Sequence, residues 1–585
     1  MPRRTPPAID AKAVAQALEA LATLLELTGA NTFKVRAHEN AARAITAGEF
    51  DVIEEVREET LGERKGFGEG LVKKVTELVE TGKIAELEAL RAEVPEGLID
   101  MLRIPGFGPK KIRAVWKELG ITSLEALHHA CEEHRLRELS GFGAKTEEKI
   151  LEGIQFLQSH AGLTLWPTAW SKAQAIVRVL RGLDAVQRIE VAGSLRRRRE
   201  VVKDIDIVCS SLHPTEVMDA FVALDGVEEI VAKGETKTTV RLSRGIACDL
   251  RVVTDEQFPF TLAHFTGSKE HNVAMRGRAQ REFNIRVSEY GLFDESRDGE
   301  LIPCADEEAL HRRLGLDPIE PEMRENLGEI EAAEAGELPE LVTESDIVGN
   351  IHMHTVFSDG KESVERMARA CADRGFKWVG ISDHSVSAAY AGGMTRDRVL
   401  EQFKEIDALN RRGVGCRLFK GIEVDILSDG SVDYDEEIWD LSDFLIASVH
   451  SHFTMGEAEM TERICRAMEN PYVTILGHPT GRLLLSREPY AVDLGAVIEA
   501  AARTGTMIEI NANPLRLDLD WRWVHRARDA GVMIAIGPDA HSIPMLDDIW
   551  IGVGLARKGW LRKGDVLNCL STKKAAATFA LGRKT

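Results

Sequence analysis

Apolar residues recur at helical spacing through 12–30 (KAVAQALEALATLLELTGA) and stop at Gly29, which predicts an amphipathic helix with a glycine end. The pattern changes period further on. Lys203-Asp204-Ile205-Asp206-Ile207-Val208 alternates as a strand does, and VRLSRGIACDLRVV (240–253) reads as two alternating runs around a Ser243-Arg244-Gly245 turn, a hairpin. After residue 350 short apolar runs (VGISDH, LFKGIEV, FLIASVH, YVTILGH, MIAIGPDAH) alternate with helical stretches such as SVERMARACADRG and DLGAVIEAAARTG. Strand and helix in alternation, with polar groups at the strand ends, predict a (β/α) barrel. The 585 residues exceed one ordinary core, so three or four modules are expected.

Charge alters this picture in one respect. Most of the net −21 falls in residues 320–585, which also hold eight of the seventeen histidines, and that combination points to bound cations. The first half is nearly balanced, so its net charge does not exclude a polyanion met through local patches and backbone amides. Eight cysteines without a Cys-x-x-Cys pair argue against a disulfide framework and a thiolate zinc site, and fit a reducing cytosol. The opening MPRRTPPAIDAKAV lacks a signal-peptide apolar region, and no run is long enough to span a membrane, so a soluble, cytoplasmic protein is expected.

A Gly-Phe-Gly pattern occurs three times: KGFGEGLVKKV (65–75), IPGFGPKKIRAV (104–115) and LSGFGAKTEEKI (139–150). Glycines at a helix start expose backbone N–H groups where the helix dipole favours an anion such as a DNA phosphate. A single Gly-x-Gly is more often a cap or tight turn. Three in register are similar to helix-hairpin-helix motifs, which grip the DNA backbone without reading sequence. Gly66, Gly68, Lys74, Gly106, Gly108, Lys110, Gly141, Gly143 and Lys145 are the candidate DNA contacts, with Lys73 and Lys111 adding charge.

Asp204 and Asp206, two apart on a strand, share one face. Their mutual repulsion calls for a cation, and Mg²⁺ with substrate phosphates suits such a pair. Asp249 on the hairpin adds a third carboxylate, as two-metal displacement at phosphorus requires. Upstream, the Gly193-Ser194 turn after RIEVA can offer amides to a triphosphate, with Arg196 and Arg197 beside it. Together with TLAHFTGSKEHNVAMR (261–276), these segments resemble the family X DNA polymerases. The resemblance implies that Asp204 and Asp206 bind both metals and that Asp249 binds one and activates the primer 3′-hydroxyl. It assigns the triphosphate to Gly193, Ser194 and Arg197, the incoming nucleotide to Phe265, Gly267, Lys269 and Asn272, and the templating side to Arg276. His264 replaces the family's usual Tyr, altering the bulk near the sugar. Lys74 aligns with a Schiff-base lyase lysine, but Gly70 stands where a supporting lysine belongs, and Lys74 reads equally as a phosphate contact.

NIHMHTVFSDG (350–360) opens a series of metal-competent residues: His352, His354, Asp359, Asp383-His384, Glu423, His450, His478, Asp539 and His541. His452 and His525 fit less cleanly and read as structural. His-x-His-Thr, Asp-His-Ser, Gly-Ile-Glu, Ser-Val-His-Ser, Gly-His-Pro and Asp-Ala-His together resemble the PHP family. That resemblance implies a trinuclear site on a distorted seven-stranded barrel, with His352, His354, Asp359, His384, Glu423, His450, His478, Asp539 and His541 as ligands and Glu423 bridging. Imidazole and carboxylate donors suit three Mn²⁺ or Zn²⁺. Arg482 reads equally as a phosphate clamp and as a surface salt-bridge partner.

The expected fold is multidomain α/β: a helical helix-hairpin-helix domain (1–90), fingers with further hairpins (91–162), an α+β nucleotidyltransferase palm (163–260), a thumb (261–325), a linker (326–346) and a (β/α)7 PHP barrel (347–585). The expected function is short-gap DNA synthesis in repair using Mg²⁺ or Mn²⁺, with Mn²⁺-dependent 3′-5′ trimming in the barrel. Gapped or primer-template DNA and dNTPs are the expected partners, and the protein is expected to be a monomer. The alternatives are a small-molecule phosphatase and a non-catalytic DNA-end scaffold.

Overall fold

The computed structural model describes residues 9–46, 50–104 and 106–581. Pro105 of the second Gly-Phe-Gly motif and residues 1–8 of the signal-peptide reading lie outside them. The chain forms two compact units, Met1–Ala161 and Gly162–Thr585. Among the described residues no helix is long and apolar enough to cross a membrane.

The first unit is helical around one apolar core that includes Leu18, Phe67, Phe107 and Phe142. Its opening helix, Ala11–Thr28, is capped by Asp10 and ends on Gly29 at φ 83°. Each Gly-Phe-Gly motif folds alike. The first glycine takes a positive φ, at Gly66, Gly106 and Gly141. The phenylalanine is buried, and the second glycine caps a helix: Glu69–Thr81, Pro109–Leu119 or Ala144–Ser159. Phe107 and Phe142 meet edge to face at 6.3 Å, so the second and third motifs share one apolar anchor.

In the second unit a five-stranded sheet runs in the order Val186–Val191, Asp204–Ser211, Ala247–Val253, Lys237–Leu242, Val227–Lys233. Asp204–Ser211 and Ala247–Val253 are parallel neighbours, whereas the other pairs are antiparallel. A three-stranded sheet and the helices Phe258–Thr266 and Lys269–Phe283 follow. Seven parallel strands then build the barrel in chain order, from Gly349–Asn350 to Ile534–Gly537. A parallel bridge between Met353 and Ala540 brings the ends together and nearly closes it.

Residues 326–346 are not a free linker. Glu329–Ala335 is a helix whose Ile330 and Ala333, three residues apart and so on one face, enter the apolar cluster of the preceding module. One apolar core also runs from the five-stranded sheet into the barrel. Residues 196–200 form the joint. Arg196 pairs with Glu307, Arg197 with Glu325, and Arg198 lies over Trp166, Trp170 and Trp550. Glu200 faces Arg482 at 3.5 Å. From the barrel side, buried Lys558 pairs with Glu325 and donates to the carbonyl of Arg197.

Candidate functional site

Asp206 and Asp249 are direct register partners on the parallel strand pair, and Asp204 lies two residues before Asp206. Ile205 and Ile207 point into the core, which aims both aspartates the other way. Burial and the Asp204 and Asp249 carboxylates push Asp206 up to about 7, and burial with Asp249 raises Asp204. This concentration of like charge fits divalent cations. Asp249 is held by Thr239 Oγ1 at 2.6 Å and by Lys237 Nζ at 2.6 Å. Sequence reasoning did not pick out Lys237, which lies on the neighbouring strand.

Gly193 sits at φ 66°, and a Cβ there would come within 2.3 Å of Asp206 Oδ2, so the turn admits only glycine beside the carboxylate. Ser194 is half-buried next to it. Arg197 is tied at Nε to Glu325 (3.0 Å) and donates to the Thr266 carbonyl, so its charge is partnered, as is that of Arg196. Gly267 is also constrained, at φ 68° with Arg197 3.0 Å from its would-be Cβ. Asn272 donates to the His264 carbonyl at 2.8 Å, and exposed Arg276 donates to His264 Nδ1 at 2.9 Å. Burial and Arg276 lower the His264 pKa, which favours the neutral ring that accepts this bond. Phe265 carries Arg251 over its face at 3.9 Å, and Lys269 is exposed.

In the first unit Lys110 and Lys145 are exposed beside their glycines. Lys74 instead pairs with Glu86 at 3.0 Å, a carboxylate that it shares with Lys34 at 2.6 Å.

The barrel gathers the second cluster at its strand ends. Glu423 stands at the centre: His478 Nε2 is 3.0 Å, His352 Nε2 3.3 Å and His450 Nε2 3.4 Å from one oxygen, with His384 Nδ1 2.8 Å and His354 Nε2 3.6 Å from the other. Asp539 lies 3.2 Å from His354, and Asp359 3.2 Å from His541. Three tight groups result: His354, Asp359, His384 and His541; His352, His354 and Asp539; His384, Glu423 and His450. Backbone bonds from Ala540 N to His352 O and from His354 N to Ala540 O lock the first and last ligand loops together. His352, His478 and Asp539 adopt left-handed backbone, a strained state that clusters at functional sites.

Buried polar atoms test whether cations fit. His352 Nε2, both ring nitrogens of His354, His384 Nδ1 and Glu423 Oε2 are buried without a hydrogen bond. Such atoms are costly unless something else satisfies them, and this donor set suits divalent cations. Burial, with His541 and His384 nearby, pushes His354 down to about 4, and burial with Arg516 pushes His478 down to about 3, so both offer neutral lone pairs at pH 7. Burial opposes charge at His450 and His541 as well. Glu423 nevertheless lifts the first to about 10 and Asp359 the second to about 9.

Supporting residues went unread in the sequence. Glu509 accepts from His352 Nδ1 at 2.5 Å and Asp425 from His450 Nδ1 at 2.5 Å, fixing ring orientation as outer-sphere carboxylates do. Glu509 lies on Met507–Asn511, and MIEIN repeats the apolar-Glu-apolar signal of GIEVD. Asp383 is no ligand: it accepts from Thr355, Ser358 and Gln402 and holds the first ligand loop. His452 and His525 stand outside the cluster. Arg482 is half-buried and acts as a salt-bridge partner: it pairs with Asp520 (3.0 Å) and Glu200 and donates to the backbone carbonyls of Arg516 and Leu517, so its guanidinium is already engaged within the fold.

Family models match in the order of these modules: a helix-hairpin-helix domain over 10–84, a SAM-like helix-hairpin-helix tandem over 98–155, a DNA polymerase beta thumb over 261–325 and a PHP domain over 350–513. The chain is 40% identical over 568 residues, 97% of its length and 98% of the relative's, to the DNA polymerase/3′-5′ exonuclease PolX of Bacillus subtilis (strain 168). It is also 29% identical over 206 residues, 33% of its length and 79% of the relative's, to a probable phosphatase of Thermoanaerobacter sp. (strain X514). A polymerase-beta-type palm and thumb followed by a PHP barrel is the class that the fold and the two clusters define. The chain belongs to the bacterial family X DNA polymerases that carry a C-terminal PHP domain.

Proposed function

We propose that this chain fills short gaps in DNA during repair at the Asp204/Asp206/Asp249 centre and removes 3′-terminal nucleotides at the barrel cluster. The observation that carries the proposal is the presence, in one chain, of two separate clusters, one of carboxylates on the Asp206–Asp249 register pair and one of imidazoles and carboxylates around Glu423. Divalent cations supply Lewis acidity at both centres: Mg²⁺ or Mn²⁺ in the palm and three Mn²⁺ or Zn²⁺ in the barrel. Asp204, Asp206 and Asp249 hold them in the palm, and Asp249 orients the primer 3′-hydroxyl. The Gly193-Ser194 turn offers its amides to the triphosphate, with Arg197 beside it, while Phe265, Gly267, Lys269 and Asn272 seat the nucleotide. Arg276 faces the template. The hairpin glycines, with Lys110 and Lys145, grip the DNA backbone. In the barrel the six histidines, Asp359, Glu423 and Asp539 hold the cations, and the neutral rings of His354 and His478 need lose no proton to do so. The protein works as a monomer in the cytoplasm, at the nucleoid.

The test uses gapped, 3′-labelled DNA with Mn²⁺ and dNTPs. Asp204→Ala abolishes extension and spares trimming; His352→Ala does the reverse. Loss of both activities in either variant refutes independent centres. The likeness to a probable phosphatase supports a second reading of the barrel as a phosphomonoesterase. Rapid turnover of a phosphorylated metabolite, with no attack on 3′ ends, would select it.

A further inference from the structure

Tyr390 is 71% exposed, although its ring centroid lies 6.1 Å from the rings of both His384 and His450. It occupies a short turn, Ala389–Ala391, in the loop that follows the strand Trp378–Ile381 and carries His384. Among the described residues its hydroxyl has no hydrogen-bond partner, so neither packing nor hydrogen bonding within the fold explains an aromatic ring there. Other exposed apolar side chains rise from loops on the same rim: Val356 two residues after His354, Val386 two after His384, and Leu515 beside Arg516. Arg516 Nε stands 3.6 Å from Asp539, which places that last loop at the cluster and brings positive charge to the mouth. An aromatic face and an arginine within one nucleotide's reach of a phosphate-cleaving centre match a base and its phosphodiester.

We propose that Tyr390 is the platform on which the 3′-terminal base stacks while its phosphodiester sits at the Glu423 cluster. The inference rests on reading the barrel as a 3′-end hydrolase. Stacking is tolerant of base identity, so the site takes any terminal nucleotide and discriminates against an end that lacks a base. Tyr390 is here a specificity residue and holds no cation.

The experiment uses the full chain loaded with Mn²⁺ and two single-stranded oligonucleotides, one with an ordinary 3′-terminal nucleotide and one whose terminal sugar has no base. Metal content is measured on every variant. Wild type is expected to remove the ordinary nucleotide with a kcat/KM about tenfold above that for the base-less end. Tyr390→Ala erases that difference through KM, leaves the base-less rate and the metal content unchanged, and is rescued by Tyr390→Phe and Tyr390→Trp. Equal slowing on both oligonucleotides, loss of metal, or failure of Tyr390→Phe to rescue overturns the stacking role. An active wild type with an unaffected Tyr390→Ala overturns it too, while sparing the hydrolase reading. A loaded wild type that removes neither end overturns that reading, and the stacking role with it.

Discussion

Gly193 and Asp206 are in contact across the palm: the glycine's missing side chain is the space that the carboxylate occupies. Gly193→Ala forces a Cβ to 2.3 Å from Asp206 Oδ2 and also leaves a non-glycine residue at φ 66°. The left-handed state alone costs about 1 kcal/mol. The carboxylate must turn, and with it the cation geometry. Single-nucleotide gap filling is expected to fall by about 100-fold or more, whereas 3′ trimming and the melting temperature stay near wild type. Retained extension would show that Asp206 has freedom the packing denies it.

Glu307 joins palm to thumb. Burial would raise its pKa, but Arg324 at 2.6 Å and Arg196 at 2.5 Å outweigh burial and hold it at about 2. A folded pKa below the unfolded one means that the stabilisation is complete above the ordinary carboxylate range and fades as pH falls toward 2. Between pH 5 and pH 3 the wild type should lose about 2 kcal/mol more stability than Glu307→Gln, read from urea midpoints. Parallel pH profiles would remove Glu307 from the acid response.

Much of both centres was legible because strand chemistry is local. Asp204 and Asp206 need only the period of two, and the barrel ligands follow apolar runs at which strands end. Glu509 and Asp425 were missed because a carboxylate inside an apolar run shows its role only once the opposing histidine is placed. Arg196 and Arg197 show what spacing leaves out. In sequence these two look like charge for a triphosphate; in the fold they also face Glu307 and Glu325, as Arg199 faces Glu325, and Arg198 faces tryptophans from two modules. The partners Glu307, Glu325 and Trp550 lie more than 100 residues along the chain, and no spacing rule reports them. The stretch 326–346 misled for a related reason: a Glu- and Ala-rich composition hides one buried face.

Glu509→Gln removes the negative acceptor behind His352 without changing its shape. Outer-sphere carboxylates of this kind contribute 10- to 100-fold in metal affinity. Mn²⁺ titration should show weakening on the order of tenfold, with trimming restored at high Mn²⁺ and extension unaffected. Unchanged affinity would mean that the His352 ring is held by packing alone.

His264 presents a smaller ring than tyrosine, with Nδ1 taking a bond from Arg276. His264→Tyr adds bulk where the nucleotide sugar is expected. The ratio of dNTP to rNTP insertion, from single-turnover assays, should rise by about tenfold; an unchanged ratio would place sugar selection elsewhere.

Arg198 tests the joint between palm and barrel. Its guanidinium lies 4.5 Å from the Trp166 ring and 5.6 Å from Trp550, and its Nη1 is 3.0 Å from the position of a Cβ on Gly554. Burial lowers its pKa, although the distant carboxylates of Glu322 and Glu344 favour the charge. With little water to compensate, the cation–π contacts are worth about 2 kcal/mol. Arg198→Ala loses them and opens a cavity between two modules that share one apolar core. The expected result is a fall of several degrees in the melting transition of the 162–585 unit. Limited proteolysis should then cut between palm and barrel, while each activity, assayed at low temperature, stays within about threefold of wild type. Arg198→Lys should recover little, because an ammonium cannot lie flat against the indole faces as a guanidinium does. Full recovery by lysine would mean that charge and not stacking makes the joint.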